Sequence, residues 1–136
     1  MVDTILVPID LAHAERAGEM IEKAKQLGGK KASILLMSVV EDVPAYVAAE
    51  LPAGIFDERR QEAEKELGDI ARNAGLSEPV RVHIGQPSPA ILAVAEETGA
   101  DVIIIASHKP GLQDYLLGST AGRVVRHAKC SVLVLR

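Results

Sequence analysis

Aromatic residues are nearly missing from this chain: one phenylalanine, two tyrosines and no tryptophan among 136 residues. A core built with so few rings must be filled by Val, Ile, Leu and Ala, which suits parallel strands covered by helices. A single cysteine, Cys130, excludes an internal disulfide and fits a reducing compartment. No apolar run reaches the ~18 residues of a membrane span, and no charged n-region followed by an apolar h-region opens the chain. The expectation is a soluble, cytoplasmic protein with no membrane partner. There is no long basic run and the net charge is −4, so nucleic acid is not an expected partner either. Catalytic signatures are absent as well. The chain has no G-x4-G-K-[ST] loop, no G-x-S-x-G elbow, no H-E-x-x-H and no C-x-x-C. His13, His83 and Asp114 do not stand at metal-ligand spacing.

What is present is alternation. The length implies one domain over residues 1–136. Thr4 to Asp10 reads as a buried strand ending at Pro8 to Asp10, and Ala32 to Val40 as a second. Between them, His13 to Gly28 has helical spacing, with Ala17, Met20, Ile21, Ala24 and Leu27 on one face and Gly28-Gly29 as the stop. Val43 to Gly54 has no period and reads as a long loop. Phe56 to Ala74 is an amphipathic helix with Ala63, Leu67, Ile70, Ala71 and Ala74 inward, its many charges forming a solvated face. Pro79 to Ile84 alternates as a strand. A helix with Ser88 as N-cap and Pro89 at its first position follows, ending at Gly99. Asp101 to Ala106 is a strand, Ser119 to His127 a short helix, and Ser131 to Arg136 a last strand. The order β-α-β-α-β-α-β-α-β predicts an open, doubly wound, five-stranded parallel α/β sheet, Rossmann-like, with helices on both faces. In such sheets a ligand sits outside the carboxyl ends of the strands, where strand order reverses.

The run from Asp101 to Thr120 carries the chemistry. A strand delivers the chain through a glycine-containing loop to a fresh helix start at Gly118-Ser119-Thr120. Small residues let backbone amides approach an anion, and the unpaired amides of a first helical turn point at it. That pattern makes nucleotide binding the leading reading. A side chain at 118 would obstruct a phosphate, and Ser119 offers a hydroxyl. An ordinary Gly-Ser helix start is the alternative. Asp10, at a strand end, is placed either to receive ribose hydroxyls and a phosphate-bound metal or to cap the next helix. Pro8 shapes that strand end or merely terminates it. His108 and Lys109 offer a donor and a cation to phosphate, or are solvated loop residues. Arg123, Arg126 and His127 suit the negative end of the last helix, and Cys130 reads as a small apolar residue.

Three segments resemble the universal stress protein family in its short single-domain form. They are Ile5-Leu-Val-Pro-Ile-Asp10, Ile34 to Val40, and Ile103-Ile-Ile-Ala-Ser-His108 with Leu116-Leu-Gly-Ser-Thr120 and Val124 to Leu135. Together they cover essentially the whole chain. Nucleotide-binding members carry a G-x2-G-x9-G-[ST] signature. This chain keeps Gly118-Ser119, but has Ile105 and His108 where a strict match places glycines, with Ala106 near the first of them.

The resemblance implies the adenine nucleotide alpha hydrolase-like fold and adenine-nucleotide binding: ATP, or ADP or AMP, with Mg²⁺ meeting Asp10 through the nucleotide. It places the main chain of Val39 at the adenine edge, where the residue alone reads as a plain core valine. The expected nucleotide-binding set is Pro8, Ile9, Asp10, Val39, Ala106, Ser107, His108, Lys109, Gly118, Ser119 and Thr120. No catalytic residue is expected. The function implied is a stress-survival or regulatory module with at most slow ATP hydrolysis. A weak ATPase or phosphoryl-transfer enzyme, and a scaffold without nucleotide, are the competing readings. The apolar last strand, with no helix after it, is an edge that invites pairing. The family pairs it into homodimers, and a similar subgroup into tetramers.

Overall fold

The computed structural model describes residues 2–107 and 117–136. His108, Lys109 and the remainder of 108–116 lie outside the described residues. Five parallel strands are present: β1 (Thr4–Pro8), β2 (Ser33–Glu41), β3 (Arg81–Gly85), β4 (Val102–Ala106) and β5 (Ser131–Leu135). Their spatial order is β3-β2-β1-β4-β5, so the order reverses between β1 and β4. The helices are α1 (Ala17–Gly28), α2 (Ala45–Ala48), α3 (Ile55–Asn73), α4 (Pro87–Thr98) and α5 (Ser119–His127). The expected doubly wound α/β sheet is therefore observed.

Alternation along the strands divides the core in two. Ile5, Val7, Ile34, Leu36 and Ile104 pack on one face with Met20, Ile21 and Ala24 of α1 and Leu67 and Ala71 of α3. Leu6, Met37, Ile103 and Ile105 pack on the other with Ile91 and Val94 of α4 and Ala121 and Val124 of α5. Strands buried on both faces need continuous apolar runs, which accounts for the fully buried stretch of β4. No helix among the described residues is long and apolar enough to cross a membrane.

Several local expectations change. A 3-10 helix, Leu11–Arg16, precedes α1 where one continuous helix from His13 was expected. His13 departs from helical angles (φ −129, ψ 48) and breaks the run. Leu27, expected on the inward face of α1, is 44% exposed. Helix α4 starts two residues before the expected position. Pro87, with its fixed φ, takes the first helical place, and Gln86 is the N-cap. Ser88, expected as the cap, is instead buried inside the first turn. The loop between β2 and α3 contains the short α2.

The amino end of the sheet is fastened by Asp101. Its Oδ2 accepts the amides of Asp3 and Thr4, both at 2.9 Å, and its own amide donates to the Thr4 carbonyl. Those two amides favour the ionised carboxylate and hold its pKa below the ordinary 3.8, the Thr4 bond contributing most. A carboxyl with a depressed folded pKa stabilises the fold above its unfolded value, and the effect disappears as pH falls through the folded value. Asp101→Ala is expected to lower the thermal midpoint at neutral pH. The gap to the parent protein should close once pH drops well below 3.8. A gap that stays constant across the acid range in calorimetric melts would contradict this role.

Candidate functional site

The carboxyl ends of β1, β2 and β4 surround a crevice at the reversal point. Its opening follows from pairing. β1 pairs with β2 through all five residues, from Thr4 with Ser33 to Pro8 with Met37. It pairs with β4 only at Ile5 with Val102 and Leu6 with Ile103. β4 meanwhile continues along β5 to Ala106 opposite Leu135. Beyond Leu6 the ladder between the two central strands stops. Pro8, which has no amide to donate, stands where ladder pairing stops.

At these strand ends lies a cavity of about 160 Å³, lined by Pro8, Ile9, Asp10, Ser38, Val39, Glu41, Pro87, Ile91, Ile105, Ala106 and Thr120. Six residues of the expected set thus meet on one wall system: Pro8, Ile9, Asp10, Val39, Ala106 and Thr120. Ser38, Glu41, Pro87, Ile91 and Ile105 were not expected. Topology offers a signal for three of them, Ser38, Glu41 and Pro87, and none for Ile105. Ser38 and Glu41 occupy the carboxyl end of β2. Pro87 opens α4, whose N-terminus must lie at the carboxyl end of the strand before it, and Ile91 follows one turn later on the same face.

Asp10 is the N-cap of the 3-10 helix, where Oδ1 accepts the Ala12 amide at 3.0 Å. The capping alternative is therefore realised, and the same exposed residue also lines the cavity. Glu41 supplies a second carboxylate. Among the described lining residues there is no cationic side chain. No group of three or more His, Cys, Asp or Glu among the described residues is arranged to hold a metal ion.

Gly118 is the N-cap of α5, in extended conformation (φ −62, ψ 159) and without a capping side chain. It and Ser119 line an open depression with Gly122, Arg123 and Arg126, next to the cavity residue Thr120. Ser107 stands at the other side of the junction. Its hydroxyl accepts the Gly118 amide at 3.2 Å, and its own amide donates to the Leu135 carbonyl at 2.9 Å. Arg126 and His127 occupy the last turn of α5, as helix polarity favours. Cys130 is half-buried, and burial raises its thiol pKa.

The model of the universal stress protein family matches residues 1–136. The chain belongs to this family. Universal stress protein G of Escherichia coli O157:H7 is 32% identical, with all of both chains covered. The universal stress protein A homolog 2 of Coxiella burnetii is 37% identical over 86% of this chain and 84% of that one. Among solved structures, hypothetical protein MJ0577 is 27% identical with a TM-score of 0.80, covering 99% of this chain and 96% of that one. Two more distant universal stress proteins share the fold and were solved with nucleotides. One is in complex with cAMP, at 22% identity and TM-score 0.65, with 99% and 97% covered. The other, from Archaeoglobus fulgidus, is in complex with dAMP, at 20% identity and TM-score 0.63, with both chains fully covered.

Proposed function

We propose that this universal stress protein binds an adenine nucleotide, ATP among them, in the crevice between β1 and β4, as a cytoplasmic single-domain regulatory or stress-survival module with at most slow hydrolysis. The observation that carries the reading is the cavity itself. It lies at the reversal of strand order, where open α/β sheets place ligands, and it gathers six residues expected to meet a nucleotide. Structures of family members holding cAMP and dAMP support it.

The parts of the crevice suit the parts of the ligand. Val39, Pro87, Ile91 and Ile105 line an apolar slot suited to a base, with main-chain groups of β2 at its edge. Asp10 is placed for the sugar hydroxyls. At about 160 Å³ the cavity is smaller than the ~300 Å³ at which pockets for whole drug-sized ligands begin. It would enclose the base and leave the sugar beside Asp10 and the phosphates to run outward toward Thr120 and the α5 N-terminus, where free amides and the helix dipole favour an anion. His108 and Lys109, also expected there, are part of this proposal on sequence grounds alone.

The described lining presents two carboxylates, Asp10 and Glu41, to a polyanion. Hard oxygen donors of this kind fit Mg²⁺ carried on the phosphates. Calorimetric titration should therefore give tighter ATP binding with Mg²⁺ than with excess chelator, and adenosine binding indifferent to the metal. An absence of heat for ATP, ADP and AMP under both conditions would end the reading and leave the scaffold alternative.

A homodimer through β5 belongs to the same proposal. β5 closes one side of the sheet order and keeps Leu133 37% exposed. An open apolar edge of this kind offers unpaired main-chain groups to a second copy, and tetramers would need a further surface. Light scattering at micromolar concentration is expected to give at least twice the 14.5 kDa chain mass. A monomer's mass would refute the pairing.

A further inference from the structure

Ser107 is tied down at every polar group it has. Its amide reaches the end of β5, its hydroxyl receives the Gly118 amide, and its carbonyl accepts Nη1 of Arg16 at 3.0 Å. Arg16 comes from a different part of the fold, the 3-10 helix that follows β1. Its guanidinium is not free to wander. Nε donates to Glu19 Oε1 at 3.0 Å, and Nη2 pairs with the same oxygen. The arginine side chain is only 21% exposed, while Glu19 is 56% exposed. A rigid fork with one prong on Glu19 and the other on a main-chain carbonyl is an arrangement that lysine's single ammonium cannot copy.

This chain of bonds joins the two sides of the crevice. On one side are Asp10 and the helix it caps, after β1. On the other are Ala106, the cavity residue preceding Ser107, and Gly118, the N-cap of α5 two residues before Thr120. β1 and β4 do not pair at this level. The Arg16 bridge therefore supplies a link where the sheet ladder has stopped. It reaches the Ser107 carbonyl, and the Ser107 hydroxyl in turn accepts the Gly118 amide at the start of α5. Arg16 does not line the cavity, so its influence on a ligand would be indirect.

We infer that Arg16 is a positioning residue, which holds the Ser107 carbonyl so that the Ser107–Gly118 bond fixes the N-terminus of α5 beside the crevice. The consequence for ligand affinity rests on the nucleotide reading above. The consequence for the junction itself does not.

The test separates the two. In nucleotide-free protein, hydrogen exchange of the Gly118 amide should be about tenfold faster in Arg16→Met than in the parent, the scale of one hydrogen bond to a charged group. Exchange of the β1 and β2 core amides of Leu6 and Met37 should stay unchanged. Arg16→Lys, which keeps a cation and a donor, should fall between the two, and it carries the test alone if Arg16→Met fails to fold. Ser107→Ala should weaken ATP binding to a similar degree as Arg16→Met. The double variant should lose little beyond the larger single loss, because both act through one junction. Unchanged Gly118 exchange in a folded Arg16 variant overturns the inference. So do ATP-affinity losses that simply multiply in the double variant, which would make Arg16 an independent ligand contact. A parent protein that binds no nucleotide would refute the proposed function, while the exchange measurement would still decide the role of Arg16.

Discussion

Val39→Trp is expected to weaken ATP and adenosine binding alike, by at least about a hundredfold, or ~2.8 kcal/mol, in a protein that still folds. Val39 is half-buried at the carboxyl end of β2 and forms part of the cavity wall. An indole and a purine are bicyclic rings of nearly equal outline. A cavity of about 160 Å³, lined also by Pro8, Ile91 and Ile105, has room for one of them. The backbone of β2 should tolerate the change. Val39 pairs with His83 through main-chain groups, and tryptophan is well suited to strands. Because the new ring enters a space that is already open, it should not force the overpacking strain of a change in a closed core. The measurement is a calorimetric titration beside a thermal melt. A folded variant that keeps affinity within about threefold of the parent would mean the base lies elsewhere, since threefold is only ~0.7 kcal/mol.

The architecture could be read from the chain because parallel strands buried on both faces leave short, β-branched apolar runs bounded by turn residues and alternating with helical spacing. Ile103-Ile-Ile is apolar at each position, and the structure assigns Ile103 and Ile104 to opposite faces. Helix faces were legible for the same reason: Ala17, Met20, Ile21 and Ala24 are all buried. Helix ends were less so. Ser88 and Pro89 form a plausible start, but Pro87 satisfies the same φ requirement two residues earlier. The sequence alone does not say that the Ser88 hydroxyl will be buried instead of capping. The 3-10 turn after Asp10 was hidden by the helical spacing that runs through it, which His13 interrupts by its backbone angles and not by its residue type.

The site divides along a similar line. Residues at strand ends, such as Asp10, Val39 and Ala106, were accessible because topology places them. Ile91 was not, because its share in the cavity depends on how α4 lies over the sheet. Arg16 was less accessible still. Its partner Ser107 is 91 residues away, and the bond involves a main-chain carbonyl that leaves no trace in side-chain pattern. Of the two roles weighed for Asp10, the structure shows the cap. Its Oδ1 caps the turn, and the residue faces the cavity.

Gly118→Val should act on the opposite end of the ligand. ATP affinity is expected to fall by at least about tenfold, or ~1.4 kcal/mol, with adenosine affinity nearly unchanged. The reason is position. Gly118 is the N-cap of α5, so the amides of the first turn that follow it have no intrahelical acceptor. No side chain caps them. A branched side chain at the cap would crowd the approach of a phosphate to those amides without entering the slot for the base. Backbone strain is not the cause, since the extended angles of Gly118 (φ −62, ψ 159) are open to any residue. Some stability should be lost, because valine is a poor N-cap beside glycine, on the order of 1 kcal/mol or less. The contrast with Val39→Trp makes the pair decisive. One variant should discriminate between ATP and adenosine and the other should not. If Gly118→Val weakens both ligands equally, the phosphates do not rest on α5. If it weakens neither while the protein stays folded, the cradle assigned to Gly118, Ser119 and Thr120 is wrong, and the phosphate tail must leave the crevice by another route.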